Sequence, residues 1–134
     1  MKNAIVAIPT VSVGSVRFGM TREQVRSTVG SFFTEFKKSR FSKNTTDDFG
    51  FMHVFYDEKN TCEAVELFND CVVVVDGVCL MPSDKSDIDD WLKSRDASSE
   101  FFPDGSVSKL LSIGVAASEG KVESVLLGRV GYYG

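Results

Sequence analysis

Hydrophobic and polar positions change their period several times along this chain. In "VRFGMTREQVRSTVG", Val16 to Gly30, a short apolar alternation breaks at Gly19 and a helical spacing follows. Thr21 and Gln24 stand in capping-box spacing, a hydroxyl that accepts from the third helical N–H and an amide that reaches back to the cap. This predicts a helix starting after Thr21. Val25 and Val29 share one face at i, i+4, and Gly30 can adopt the left-handed backbone that ends a helix. Phe32, Phe33 and Phe36 extend the stripe if the chain resumes helix beyond Gly30, so a kinked or two-part helix is expected.

From Phe49 the period shortens. "FGFMHVFYDEKNTCEAVELFNDCVVVVDGVCLM" holds three runs rich in Val, Phe and Tyr, separated by "DEKN", "ND" and "DG". These are strands of a meander with tight turns. "FMHVFY" is apolar at both parities, as in a central strand covered on both sides or one whose outer face is meant for a partner. Pro82 interrupts the chain, and Asp84 or Ser86 then caps a second helix with Ile88, Trp91 and Leu92 on one stripe. After "FFPDGS", a turn, alternation returns through "VSKLLSIGVAASEGKVESVLLGRVGYY". Val107, Leu111, Ile113 and Val115 share one parity there, and the last two segments pair across "SEGK".

Strands follow each helix, and "TCEAVEL" aligns with "KVESVLL", Cys62-Glu63-Ala64-Val65 against Val122-Glu123-Ser124-Val125. The expectation is an α+β fold: an antiparallel sheet of five to seven strands with helices packed on one face, built as a degenerate tandem repeat of a helix-plus-hairpin unit. Residues 1–134 read as a single domain with halves at about 14–81 and 82–134. The terminal "GRVGYYG" reads as an edge strand open to pairing with a second copy, a homodimer.

Composition narrows the function classes. At 43% hydrophobic and 25% charged the chain is ordinary for a globular protein, and its net charge of -4 argues against nucleic acid as a direct ligand. Lys37, Lys38, Arg40 and Lys43 form the one basic cluster, simplest as a solvated face. Cys62, Cys71 and Cys79 are odd in number and lack C-x-x-C spacing, so they read as buried small residues in a reducing compartment. "MKNAIVAIPTVSVGSV" falls short of a secretory apolar run, and nothing reaches the length of a membrane span. A cytoplasmic location with no membrane partner is the expectation.

Candidate chemistry is sparse. His53 is the sole histidine, placed mid-strand among Phe51, Met52, Val54 and Phe55, where a packed, hydrogen-bonded imidazole is simpler than a general base. Asp47, Asp48, His53 and Asp57 spread over two faces of a hairpin-side strand, so no metal site is expected. "GSVRFG" lacks the lysine and spacing of a P-loop. Glu63 and Glu123 read as strand-end carboxylates. The chain is expected to be no enzyme and to need no cofactor.

Gly14 to Val25 follows "G-x-x-x-x-G-M-T-x-x-x-V", and with "FYDEKNTCEAVELF" it resembles the helix-plus-sheet module of the β-lactamase-inhibitor protein and of small outer-membrane-assembly lipoproteins, which are non-enzymatic binders. The similarity covers about residues 14–68, with a weaker echo over 84–127. The whole chain also resembles small cytoplasmic immunity proteins encoded beside bacterial contact-dependent or polymorphic toxins. That resemblance implies a partner-neutralising role toward a cognate toxin domain, a basic one such as a nuclease, met through an acidic and aromatic surface. Candidate contact residues are Asp87, Asp89 and Asp90 on the second helix, with Asp57, Glu58 and Glu66 around the first hairpin. The alternative is a non-enzymatic scaffold or small-ligand module whose pocket is lined by Phe32, Phe33, Phe36, Phe41 and Trp91, residues that otherwise belong to the core.

Overall fold

The computed structural model describes residues 4–42 and 44–134, so Lys43 of the basic cluster lies outside the described residues. In chain order the elements are β1 (Ala4–Ile8), β2 (Ser12–Val13), β3 (Val16–Arg17), α1 (Arg22–Val29), β4 (Thr34–Phe36), β5 (Thr46–Asp48), β6 (Met52–Tyr56), β7 (Cys62–Leu67), β8 (Val72–Val75), β9 (Val78–Met81), α2 (Lys85–Arg95), β10 (Glu100–Phe102), β11 (Gly105–Ser108), β12 (Ile113–Ser118) and β13 (Lys121–Gly128).

The fold is α+β, as expected, but its strands form two sheets where one of five to seven was expected. One has five strands in the order β3-β2-β1-β8-β9, the other eight in the order β10-β11-β12-β13-β7-β6-β5-β4. All pairings are antiparallel except β1 with β8. The run read as one meander therefore divides at Asn69-Asp70: β6 and β7 stay in the larger sheet, while the β8–β9 hairpin joins the smaller one. Turn chemistry marks the joints. Asn69 with Asp70, Asp76 with Gly77 and Glu119 with Gly120 all take positive φ, the backbone of the two-residue hairpin turn.

Each helix is followed by four antiparallel strands. The sheet is completed where β7 meets β13, with Val125 opposite Leu67, Leu126 opposite Glu66 and Leu127 opposite Val65. The entries to the helices are anchored alike. Thr21 bridges to Thr61 and Asp84 to Lys121; the Cys62 N–H donates to the Met20 carbonyl as the Val122 N–H does to that of Ser83. The capping box at Thr21 and Gln24 is formed, whereas Asp84 stands at the second N-cap with its carboxylate turned to Lys121.

One cluster of buried side chains joins the layers. Val54, Val65, Leu67, Ile113, Val125 and Leu127 from the larger sheet meet Val25 of α1, Ile88 and Leu92 of α2, and Val13, Val73, Val75 and Leu80 from the smaller sheet. Both helices and the smaller sheet thus cover the same face of the larger one.

Three local expectations are corrected. The helix does not resume after Gly30, whose φ of 136 turns the chain into the short edge strand β4, and Phe32 and Phe41 end up 92% and 80% exposed. Val107 does not share a face with Ile113 and Val115, because the turn at 109–112, with Ser112 at φ 52, resets the alternation. The C-terminal "GRVGYYG" is a turn folded back on the sheet and not an edge strand. Tyr132 packs on Gly128 and Tyr133 on Gly114.

The connection from α1 to the sheet is electrostatic. Asp47 on β5 is fully buried and accepts from Arg22 at 2.9 Å, from two nitrogens of Arg26 at 2.8 and 2.9 Å, and from the Tyr56 hydroxyl at 2.8 Å. Burial alone would lift its carboxyl, but the bonds from Arg26 and Tyr56 and the nearby guanidinium charges hold it below the usual carboxylate range. Burial and the same carboxylate push the Tyr56 phenol up. A carboxylate with a depressed folded value stabilises the fold at pH above its unfolded value of about 3.9, and that stability is lost as pH falls through the folded value.

Asp47→Asn is expected to destabilise the protein by about 3–5 kcal/mol, since it strands two partly buried guanidinium groups. Urea titrations from pH 7 down to pH 2.5 should show a shallower loss of stability on the acid side in the variant than in the wild type. Parallel acid limbs would contradict this role.

Candidate functional site

The second face of the eight-stranded sheet carries the side chains that alternation turns away from the core. Register places one row straight across it: Thr34, Asp48, His53, Glu66, Leu126, Gly114, Val107 and Glu100, one from each strand. The helices lie on the opposite side, where Arg26 reaches Asp47 and Asp89 takes the Ser106 hydroxyl at 2.5 Å. Over the row itself lie only single side chains and the C-terminal turn, among the described residues.

The row divides chemically at its middle. On the β4–β7 side, His53 sits between two carboxylates, its Nδ1 3.3 Å from Glu66 and its Nε2 3.6 Å from Asp48. Phe68 and Phe36 flank the imidazole at centroid distances of 4.4 and 5.0 Å, and Lys38 caps Phe55 at 4.4 Å. This half is filled by large rings. The β13–β10 side is built from small residues, with Gly105, Gly114, Ala116 and Ser124 forming a floor between Phe102, Leu126 and Tyr133. A cavity of about 270 Å³ opens there, with Glu66 and Asp104 among the residues that line it.

His53 is therefore the packed, hydrogen-bonded imidazole that its strand position suggests. The groups facing its two nitrogens are the carboxylates of Glu66 and Asp48. Asp47 points to the opposite face, and Asp57 closes the β6–β7 turn by accepting from the backbone of Lys59 and Thr61, the Thr61 hydroxyl and Arg129 at 2.7 Å. Those bonds, against the cost of burial, hold the Asp57 carboxyl below the usual range. Among the described residues no group of three His, Cys, Asp or Glu side chains is placed to hold a metal ion.

The six acidic residues singled out from the sequence do not form one site. Glu66 lies at the centre of the row, while Asp57 is occupied in its turn and Glu58 is exposed beside it. Asp87 and Asp90 are exposed on α2, on the far side of the molecule. Asp89 is held by Lys85 at 2.7 Å and by Ser106. The aromatic pocket does not assemble either: Phe32 and Phe41 face solvent, Phe36 lies beside His53, and Trp91 lies on α2 beneath Arg95. Phe102, Asp104, Leu126 and Tyr133 were not singled out, and Asp48 only within a discounted metal group, although the apolar parity of "FMHVFY" allowed an outer face meant for a partner. Comparison with family models, with characterised proteins and with solved structures finds no match.

The C-terminal turn forms one wall of the site because a glycine admits it. A Cβ at Gly128 would fall 2.5 Å from the Cβ of Tyr132, so Gly128→Val is expected to expel the Tyr132–Tyr133 turn. Carboxypeptidase should trim the variant's last residues several times faster than the wild type's, read by mass spectrometry. Equal rates would show that the turn is not held by this contact.

Proposed function

We propose that this protein is an immunity-type inhibitor that covers a basic toxin domain, of nuclease class, with the second face of its eight-stranded sheet, and that it does so without chemistry of its own. The single observation that carries the reading is the transverse row from Thr34 to Glu100, a broad face of aromatic, small and acidic residues over which no helix or strand lies among the described residues. A half-apolar sheet face bordered by carboxylates has the makeup of an interface centre, where a few buried aromatics carry most of the affinity and complementary charge speeds encounter. The net charge of -4 suits a partner with the basic footprint of a phosphate-binding domain.

The same reading includes a duplicated origin for the two halves. Exchanging β7 with β13 leaves the central register unchanged, Val65 standing to Leu127 as Val125 stands to Leu67. Arg22 and Lys85 also make the matching backbone bonds, to Asn60 and Gly120. A doubled unit explains how a short chain builds so wide a face.

The test is co-expression with the product of the adjacent gene. That product should arrest growth alone, be neutralised by this protein and co-purify with it. Leu126→Arg or Phe102→Arg should weaken the complex by about 2 kcal/mol or more, roughly thirtyfold, while Asp87→Asn with Asp90→Asn leaves it within about threefold, as expected for rim charges. A harmless neighbour that does not bind, or a complex lost through the α2 variants and not through the sheet variants, would overturn the proposal.

A further inference from the structure

The two halves of the sheet face offer a partner different things: the cavity at the β4–β7 end is lined by Lys38, Lys59 and Arg129 as well as carboxylates, whereas the one at the β13–β10 end has acidic residues alone among its charged lining. On the β4–β7 side the charges are already balanced within the protein: His53 lies between Asp48 and Glu66, and Lys38 covers Phe55. On the β13–β10 side the cavity of about 270 Å³ is bordered by Glu66 and Asp104, and no lysine or arginine lines it. Lys109, on the strand edge beside it, is 4.0 Å from Glu100. The influence of Glu66 reaches the cavity's aromatic wall, where burial first, and this carboxylate with it, pushes the phenols of Tyr132 and Tyr133 up.

Shape selects the occupant further. The lining is low because its residues are small: the Tyr133 hydroxyl end sits directly on Gly114, and Gly105, Ala116 and Ser124 line the space beside it. Two aromatic residues, Phe102 and Tyr133, are part of the lining. A planar cation between two rings, with carboxylates at the opening, is the environment in which a guanidinium is favoured over an ammonium, because it stacks and bonds a carboxylate bidentately at once. Apolar floor beneath the chain's methylenes adds burial that a point charge alone would not use.

From this we infer that the cavity between Phe102 and Tyr133 is a specificity pocket for one arginine side chain presented by the partner, held by Glu66 and Asp104. The inference rests on the sheet face being the partner-binding face, and it names the chemistry at that face's centre.

The experiment is an NMR titration of the free protein labelled with nitrogen-15 at glycine, with Nα-acetylarginine amide as the probe. The Gly105 and Gly114 amide signals should shift saturably, with affinity on the order of 1–10 mM for a ligand of this size. Nα-acetylcitrulline amide, which has the same shape without the charge, should bind at least about tenfold more weakly, in line with the strength of charge-assisted bonds. Glu66→Gln and Asp104→Asn, each checked for an unchanged glycine spectrum, should each weaken arginine binding severalfold. Citrulline binding as well as arginine, a lysine analogue binding more tightly, or variants that titrate like the wild type would overturn the pocket. If the arginine probe binds as described and the neighbouring gene's product does not, the pocket stands and the immunity reading falls. If that product binds wild type, Glu66→Gln and Asp104→Asn alike, the pocket falls and the immunity reading stands.

Discussion

The pairing of β7 with β13 is the contact on which the rest depends. Each helix with its four strands has an edge that needs a neighbour, and the two edges satisfy each other through Val65, Leu67, Val125 and Leu127 on the core side. The same register sets the outer face. Side chains alternate across a strand, so a slip of one residue would drive Glu66 into the core and bring Leu67 to the surface. The buried row and the row that ends in Glu66 and Leu126 are thus two consequences of one alignment. The smaller sheet and both helices close the core side, and that leaves the other side to the solvent.

Charge is handled differently in the two halves. Beneath β5 a buried carboxylate is held by two arginines and a tyrosine, a cluster in which every member is satisfied by another. Under β11 the polarity is lighter: Asp89 of the helix accepts from Ser106 of the strand, and Lys85 neutralises it. Above the sheet the contrast runs the other way. In the first half Phe36, Phe55 and Phe68 surround His53, whereas in the second Tyr133 sits on Gly114 and Gly105 and Ala116 line a cavity. Large rings stand in one half of the surface and small residues in the other.

Local punctuation was the most readable part of the sequence. The capping box at Thr21, the stop at Gly30, the helix after Asp84 and the turns at Asn69-Asp70, Asp76-Gly77 and Glu119-Gly120 follow from single residues and their neighbours. Long-range partition was not readable. Nothing in "VVVV" says that β8 pairs in parallel with β1 in a separate sheet, because a run apolar at both parities fits either layer. The short strands β4, β5 and β10 were missed because three residues are too few to show a period, and the phenylalanines at 32, 33 and 36 mimicked a helical stripe. Of the site, Glu66 was visible as a candidate contact residue around the first hairpin. Its companions Asp48, His53 and Asp104 come together only through cross-strand register and a turn, which depend on how the strands align.

The measurement that bears most directly on the central claim is carboxyl labelling of the complex, with side chains identified by mass spectrometry. Two groups of acidic residues stand on opposite sides of the molecule, Glu66 with Asp104 on the sheet face and Asp87 with Asp90 on α2. A partner seated on the sheet face should shield the first pair and leave the second labelled as in the free protein. Shielding of Asp87 and Asp90 with Glu66 and Asp104 still reactive would place the partner on the helix and contradict the account.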